Sequence, residues 1–184
     1  EDDFARMHGR IAGGGLAIIA MGKLGGREVT SGSDLDLIFV YGAPSPRELS
    51  DGPKPLAAGQ YYARLSQRLI SALSAPTAEG QLYTVDMRLR PSGTAGPIAV
   101  SFVSFRSYQI DQAWTWEQMA LSRARVIAGP VALAAAIEKV IRDVLTRERD
   151  GDALVCDVAE MREKMAREHP AAALWEIKHR RGGL

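Results

Sequence analysis

The stretch DLDLIFVY, residues 34–41, places two carboxylates at the start of a strongly apolar run. A short apolar run bounded by turn residues is typical of a buried strand. Side chains two residues apart on a strand face the same side, so Asp34 and Asp36 would project together. Leu35 and Leu37 would then point into the core. The two carboxylates are therefore predicted to form a single site at the beginning of a strand.

Two carboxylates held this close repel each other, and they are costly near an apolar interior unless a cation lies between them. Oxygen ligands bind hard cations, and Mg²⁺ is the usual one where phosphates complete its coordination shell. Asp86 lies on the polar face of a second alternating segment, residues 80–91, and could join the pair if the two strands are neighbours. We therefore expect Asp34, Asp36 and Asp86 to be the catalytic residues and the metal ligands. A D-x-D motif alone can also be a loop edge or a helix cap. The surrounding residues therefore decide whether a catalytic role is the better interpretation.

A glycine-rich loop, GKLGGREVTSGS, precedes this strand and raises the specificity of the pattern. A glycine turn lets backbone N–H groups approach phosphates closely, and a lysine adds a point charge. Gly22 with Lys23 is one candidate for the phosphate-binding turn, and Gly25 with Gly26 is the other. Ser33 is a candidate nucleotide contact, unless it only caps the turn.

Several arginines are candidates for phosphate binding. Arg88 and Arg90 share the predicted strand face of Asp86 and could bind a triphosphate. A salt bridge to the aspartates is the alternative, and the two roles are compatible. Arg123 and Arg125 lie within or after a predicted helix, where charges usually face solvent, although an arginine there could reach the nucleotide.

Periodicity divides the chain into an α/β part followed by a helical part. The first part contains predicted strands at 16–21, 34–41 and 80–91 and a helix at 56–74. From about residue 101 the patterns are helical, with candidates at 101–109, 113–127, 130–148 and 152–168. We expect an α/β core over 1–100 and a helical segment over 101–184 that is cut short at its C-terminal end.

Charge and composition exclude several classes of protein. The 184 residues carry 23 Lys and Arg against 22 Asp and Glu, so no global field marks a nucleic-acid or membrane binder. No apolar run approaches the ~20 residues that span a bilayer, and the first residues lack the order of a signal peptide. The single cysteine, Cys156, fits a reducing compartment and is expected to pack in the core. We predict a cytoplasmic protein, and because the chain opens without methionine and stops at HRRGGL, we expect a fragment of a larger one.

The order of apolar strand, glycine turn, spacer, D-x-D and a third aspartate resembles the nucleotidyltransferase fold of the polymerase-β type. The resemblance implies an α+β fold with a mixed sheet, helices around it and a helical segment after it. It also implies metal-dependent transfer of a nucleotidyl group. Lys23 stands where that superfamily usually has a small Ser or Gly.

Three longer stretches resemble the glutamine synthetase adenylyltransferase family. They are GKLGGREVTSGSDLDLIFVY, YYARLSQRLISALSAPTAEGQLYTVDMRLRPSGTAGPIA and AWTWEQMALSRARVIAG. Members carry two nucleotidyltransferase domains, one transferring AMP from ATP to a tyrosine of glutamine synthetase and the other removing it by phosphorolysis. The resemblance also implies control by glutamine and by a PII signalling protein, with no nucleic-acid or membrane partner.

The stretches AWTWE and MREKM, the latter at 161–165, are similar to the C-terminal, transferase half of that family. We therefore expect AMP transfer from ATP, with Mg²⁺ as cofactor. The deadenylylating half is the first alternative, because both halves carry the D-x-D. A non-catalytic nucleotide-sensing module is the second, and the three intact aspartates speak against it.

Overall fold

The computed structural model describes residues 2–78, 80–81 and 83–168. The helices in these ranges are α1 (Asp2–His8), α2 (Gly22–Gly25), α3 (Ala58–Leu73), α4 (Phe102–Asp111), α5 (Thr115–Ala120), α6 (Val131–Leu145) and α7 (Gly151–Glu168). The strands are β1 (Gly15–Ala20), β2 (Leu35–Gly42), β3 (Pro76–Thr77), β4 (Gly80–Gln81), β5 (Val85–Asp86), β6 (Ala99–Ser101) and β7 (Arg125–Ala128).

Strands β1 and β2 form the centre of a mixed sheet. They are antiparallel along their whole length, and β7 pairs antiparallel with the other side of β1. On the outer side of β2, β5 runs parallel to its start and β6 runs parallel to its end. The chain between β5 and β6, residues 87–98, leaves the sheet and returns to the same edge of β2. This arrangement confirms the predicted α+β fold with a mixed sheet.

Both faces of β2 are buried, because helices cover the sheet on each side. Leu35, Leu37 and Phe39 pack on one face with residues of α3. Ile38 and Val40 pack on the other face with residues of α4 and α6. A strand covered on both faces reads as a near-continuous apolar run, which is what its sequence shows. Asp34 and Asp36 alternate with Leu35 and Leu37, as predicted.

The periodic helices are confirmed. The helix predicted at 56–74 is α3, and the one at 130–148 is α6, whose apolar stripe is buried. The helix predicted at 152–168 is α7, but it has no buried residue. The expectation that Cys156 packs in the core is wrong, since the thiol lies on this exposed helix.

Two predicted elements differ from the structure. The strand predicted over 80–91 is wrong, because only the two-residue strands β4 and β5 form there and residues 88–90 turn away from the sheet. Leu82 of that segment lies outside the described residues. The helix predicted over 113–127 is also wrong after Ala120, where α5 ends, because a 3₁₀ turn at Leu121–Arg123 and then β7 follow. A strand forms only where the segment can pair with a neighbouring strand and pack against the core. Residues 125–128 find such a partner in β1, whereas the residues after Asp86 turn away from the sheet.

The part of the chain after residue 100 contributes to the same core as the part before it. Strand β7 pairs with β1, and Ile137, Val140 and Ile141 of α6 pack against the sheet. The boundary at residue 100 stays a prediction, and the expected truncation falls in 169–184, outside the described residues. None of the described helices is both long and apolar enough to cross a membrane.

Candidate active site

The three predicted aspartates lie on two neighbouring strands. Asp34 immediately precedes β2, Asp36 is the second residue of β2, and Asp86 ends β5. The parallel register pairs Leu35 with Val85 and sets Asp36 opposite Asp86. Neighbouring strands are about 4.8 Å apart. The predicted adjacency of Asp86 and the D-x-D motif is therefore confirmed.

A threonine that the sequence analysis did not single out also belongs to this site. The main-chain carbonyl of Thr84 accepts a hydrogen bond of 2.8 Å from the N–H of Leu35. Its hydroxyl donates to Oδ1 of Asp34. Thr84 therefore ties the segment before β5 to the start of β2 and orients the first carboxylate. The sequence could have indicated this role, because Thr84 lies two residues before Asp86 on the same polar face of the alternating segment.

Arg88 is the cation of the site. Its Nε donates to Oδ2 of Asp86 at 2.7 Å, and its main-chain N–H donates to Oδ1 of the same carboxylate at 2.8 Å. The side-chain hydrogen bond from Arg88 lowers the pKa of Asp86 below its ordinary value, against the opposing effect of partial burial. Asp86, and more weakly Asp36 and Asp34, raise the pKa of Arg88. The guanidinium thus pairs with Asp86 and only weakly feels the charges of Asp36 and Asp34, which is the salt-bridge alternative stated for Arg88.

Arg90 has different partners. Its guanidinium donates to the main-chain carbonyls of Met87, Thr94 and Gly96, at 2.8 to 3.2 Å. It therefore closes the loop that follows β5. The expectation that Arg88 and Arg90 share a strand face with Asp86 is wrong, because the strand ends at Asp86.

The glycine turn lies directly beside the D-x-D motif. Gly22 has φ of +50°, and a Cβ at this position would collide with Oδ2 of Asp36, so only glycine fits. Lys23 follows it on α2 and is exposed to solvent. Gly25 instead packs against the carbonyl of Arg123, which explains its missing side chain without a ligand. This geometry favours Gly22 and Lys23 over the other glycine pair as the turn that faces the carboxylates.

Gly26 and Ser33 lie farther along the same loop. Gly26 is next to the Arg123 guanidinium. The hydroxyl of Ser33 is 2.9 Å from that of Thr30 and accepts a hydrogen bond from the Thr30 N–H. Ser33 therefore caps the turn, and its contact with a nucleotide stays a prediction.

The aspartates have the chemistry of a magnesium site but not its closed geometry. Carboxylate oxygens are the ligands that Mg²⁺ prefers. Within the described ranges, no three carboxylate, imidazole or thiol groups are gathered as a metal-binding cluster. Asp86 is turned toward Arg88, so it can bind a metal ion only when that ion pair opens. The donor set fits the metal, and the side chain of Arg88 controls the third ligand.

A cavity of about 470 Å³ lies at the opposite end of β1 from the aspartates. Its wall includes Gly15, Leu16, Tyr62 and Leu65, and none of the predicted site residues. Burial and the neighbouring tyrosines raise the pKa of Tyr62 to about 12, so its hydroxyl stays protonated. The candidate chemistry is therefore at the open edge of the sheet rather than in this cavity.

The fold and the site together define a class. A mixed sheet that sets aspartates on two neighbouring parallel strands, beside a glycine turn, is a nucleotidyltransferase-like α+β arrangement. Residues 4–140 match the model of the family described as glutamate-ammonia ligase adenylyltransferase. The chain belongs to this family.

Relatives with curated descriptions agree with that assignment. The chain is 55% identical over 184 residues to a bifunctional glutamine synthetase adenylyltransferase/adenylyl-removing enzyme of Brucella suis, covering 100% of this chain and 19% of that protein. Enzymes with the same description are 53% identical over 182 residues in Mesorhizobium japonicum (99% of this chain and 18% of that protein) and 51% identical over 184 residues in Rhodopseudomonas palustris (100% and 19%). The chain therefore spans about a fifth of the length of the curated relatives it matches.

Proposed function

We propose that this chain is a nucleotidyltransferase domain that transfers AMP from ATP to a tyrosine of glutamine synthetase. The observation that carries the proposal is the register that sets Asp36 opposite Asp86 while Gly22 lies against the Asp36 carboxylate. Carboxylates can hold a cation, and main-chain amides of a glycine turn can approach the phosphates that share it. The names of the relatives, which specify adenylyl transfer and adenylyl removal on glutamine synthetase, support the same reaction class.

Mg²⁺ is the proposed cofactor and ATP the proposed nucleotide. Asp34, Asp36 and Asp86 would hold the metal, which supplies charge neutralisation for the phosphates and lowers the pKa of the attacking hydroxyl when it is bound. Lys23 and the main chain at Gly22 would hold the leaving pyrophosphate. The positioning and charge of these groups would account for the catalysis, without a covalent enzyme intermediate.

The bond changes follow from this placement. The tyrosine oxygen of the target attacks the α-phosphorus of ATP, and the bond from that phosphorus to the bridging oxygen of the β-phosphate breaks. Pyrophosphate leaves in line with the attacking oxygen. The hydroxyl proton would pass to the carboxylate of Asp86.

Arg88 must leave Asp86 before this step. While the ion pair holds, the lowered pKa of Asp86 makes that carboxylate a weak base. Once released, the guanidinium can donate to the triphosphate, which is the second role predicted for it. Arg88 would thus exchange a carboxylate partner for a phosphate partner as the substrate binds.

The alternative to this proposal is that the chain removes AMP from glutamine synthetase instead of transferring it. The deadenylylating half would use the same aspartates, but inorganic phosphate would attack the AMP–tyrosine bond and release ADP. The similarity of AWTWE and MREKM to the transferase half favours transfer. Control by a PII signalling protein, the cytoplasmic location and the absence of nucleic-acid and membrane partners stay predictions.

The test uses two incubations of the full-length protein. The first contains unmodified glutamine synthetase with ATP labelled in the α-phosphate, and the second contains AMP-modified glutamine synthetase with inorganic phosphate. Protein-bound label in the first, abolished by Asp86→Asn, supports the proposal. Loss of ADP in the second incubation on Asp86→Asn, with the label in the first retained, would overturn the direction. If Asp86→Asn changes neither reaction while the protein binds ATP with Mg²⁺ in a calorimetric titration, the chain is the non-catalytic nucleotide-sensing module.

A further inference from the structure

Arg125, the first residue of β7, binds the main chain of the glycine turn. Its Nη2 donates to the carbonyl of Leu24 at 3.0 Å, and its Nε donates to the carbonyl of Gly25 at 3.2 Å. Both carbonyls belong to the last residues of α2, where helical carbonyls lack partners within the helix. The side chain is half-buried, and the strand register sets Arg125 opposite Ala20, just before the turn.

The same segment contacts the turn a second time through its main chain. Gly25 lies so close to the carbonyl of Arg123 that a Cβ would overlap it, and the carbonyl of Ala20 is 2.6 Å from the same Cβ position. The turn is therefore fixed between the end of β1 and the segment 123–125. At its other end, Gly22 is fixed against the carboxylate of Asp36.

These contacts form a continuous connection from β7 to the candidate site. Arg125 fixes Leu24 and Gly25, and the intervening main chain is one turn of helix that carries Lys23. Displacement of that turn would move Lys23 relative to the aspartates. Misplacement of a binding group by about 1 Å can cost on the order of a hundredfold in rate.

We propose that Arg125 is a positioning residue, which holds the glycine turn in the geometry that binds the nucleotide phosphates. The binding of nucleotide phosphates by the turn rests on the proposed function. The statement that Arg125 holds the turn rests on the contacts alone. A simple stabilising role for Arg125 would lower the stability of the whole chain without loosening this turn in particular.

Arg123, two residues earlier, provides the matched control. Its guanidinium pairs with the carboxylate of Glu28 in an exposed ion pair, which contributes little to stability. Replacing its side chain leaves the carbonyl contact with Gly25 in place. Arg123→Met and Arg125→Met therefore remove the same type of side chain from the same segment. The first releases Gly26 and Glu28, and only the second removes the hydrogen bonds to the carbonyls of Leu24 and Gly25.

The first measurement is amide hydrogen exchange of the full-length protein, read in peptides that cover residues 20–25 and leave out Gly26 and Glu28, the contacts of the Arg123 guanidinium. We expect Arg125→Met to raise exchange there by about tenfold, with β2 and the melting temperature little changed, and Arg123→Met to have no effect. Arg125→Lys can reach only one carbonyl and should give an intermediate result, which also covers the case in which Arg125→Met does not fold. Unchanged exchange in a folded Arg125 variant, or equal loosening by Arg123→Met, would overturn the proposal.

The second measurement is the affinity for ATP with Mg²⁺ by calorimetry. We expect binding to weaken by about tenfold in Arg125→Met and to be unchanged in Arg123→Met. Normal ATP affinity in a variant whose turn is loosened would remove the phosphate-binding part of the proposal. If the wild-type protein binds no ATP, the proposed function fails, whereas the exchange result still decides whether Arg125 holds the turn.

Discussion

At the scale of single residues, Arg88 forms an ion pair with one of the three aspartates. Its strongest partner is Asp86, and weaker fields reach it from Asp34 and Asp36. Because the guanidinium is solvent-exposed, it can be displaced without a large penalty. The proposed metal ion could therefore replace Arg88 at Asp86 without rearrangement of the strands that carry the aspartates.

Replacement of each aspartate tests the metal site. Asp34→Asn, Asp36→Asn and Asp86→Asn should each lower AMP transfer by about a hundredfold or more, which is about 3 kcal/mol in the barrier. None of the three side chains is buried, so thermal melting should change little. Asp143→Asn is the control, because it breaks only an exposed pair with Lys139. Full activity of a soluble Asp86→Asn protein would contradict the predicted ligand set.

Thr84 is expected to act through Asp34. Thr84→Val removes the hydroxyl that donates to the carboxylate and keeps a similar shape. It should lower activity by about tenfold and weaken the apparent affinity for Mg²⁺. Thr84→Ser keeps the hydroxyl and should restore most of the activity. Steady-state rates over a Mg²⁺ series measure both effects. Equal rates for the valine and serine variants would show that the hydrogen bond is not used.

The ion pair between Arg88 and Asp86 predicts a pH effect. The pKa of Asp86 is lowered in the folded protein, so the pair contributes stability above the ordinary pKa of 3.8, and this contribution is lost as the pH falls through the lowered value. Arg88→Gln should move the pKa of Asp86 back toward 3.8. NMR titration of the Asp86 carboxyl measures the shift. The difference in free energy of unfolding between the wild-type and Arg88→Gln proteins should shrink below pH 3.8. A difference that does not change with pH would rule out this ion pair as its source.

At the scale of elements, the sequence predicted those that a strong pattern defines. Strands β1 and β2, buried on both faces, follow from short apolar runs between glycines, and α3, α6 and α7 follow from apolar spacing. The site residues Asp34, Asp36 and Asp86 followed from alternation and from the position of the motif at a strand start. The alternation of residues 80–91 also placed Asp86 beside the pair if the two strands were neighbours, and the resemblance, which has a third aspartate on a later strand, agreed with it.

The elements that the sequence did not predict depend on contacts between distant segments. β7 is a short β-branched stretch that follows a helix, and only its pairing with β1 makes it a strand. Residues 88–90 alternate like a strand, but the guanidinium of Arg90 binds nearby carbonyls and closes a loop instead. The role of Arg125 arises from the same distant pairing, so no local pattern could indicate it.

Helix α6 allows a test of its contribution to the core. Ile137 is fully buried between α6 and the sheet, whereas Val131 on the same helix is 86% exposed. Ile137→Ala should destabilise the protein by about 2 to 5 kcal/mol, because it removes buried methyl groups and leaves a cavity. Val131→Ala should change the free energy of unfolding by less than about 0.5 kcal/mol. Urea unfolding measures both, and similar values would contradict the packing of α6.

At the scale of the whole molecule, the sheet is completed by chain that comes long after its central strands. β7 extends the sheet beyond β1, and α6 covers Ala17, Ile19 and Val40 on one face. The core therefore contains residues from both sides of the predicted boundary at residue 100.

Truncation tests this organisation. A chain that ends at residue 100 loses the cover of one sheet face and should not unfold cooperatively, because its exposed apolar surface favours association. A chain that ends at residue 150 keeps α6 and should unfold in a single transition. Calorimetry and light scattering distinguish the two. A monomeric, cooperatively folded 1–100 chain would show that the first part is an independent domain.

The loop of residues 87–98 leaves and rejoins one edge of β2, and this has a consequence for how such an enzyme can diverge. Insertions or deletions between β5 and β6 change the length of an excursion but leave both strands in register with β2. A change in the length of this loop would therefore alter the surface beside Asp34, Asp36 and Asp86 without altering the pairing of the two strands with β2.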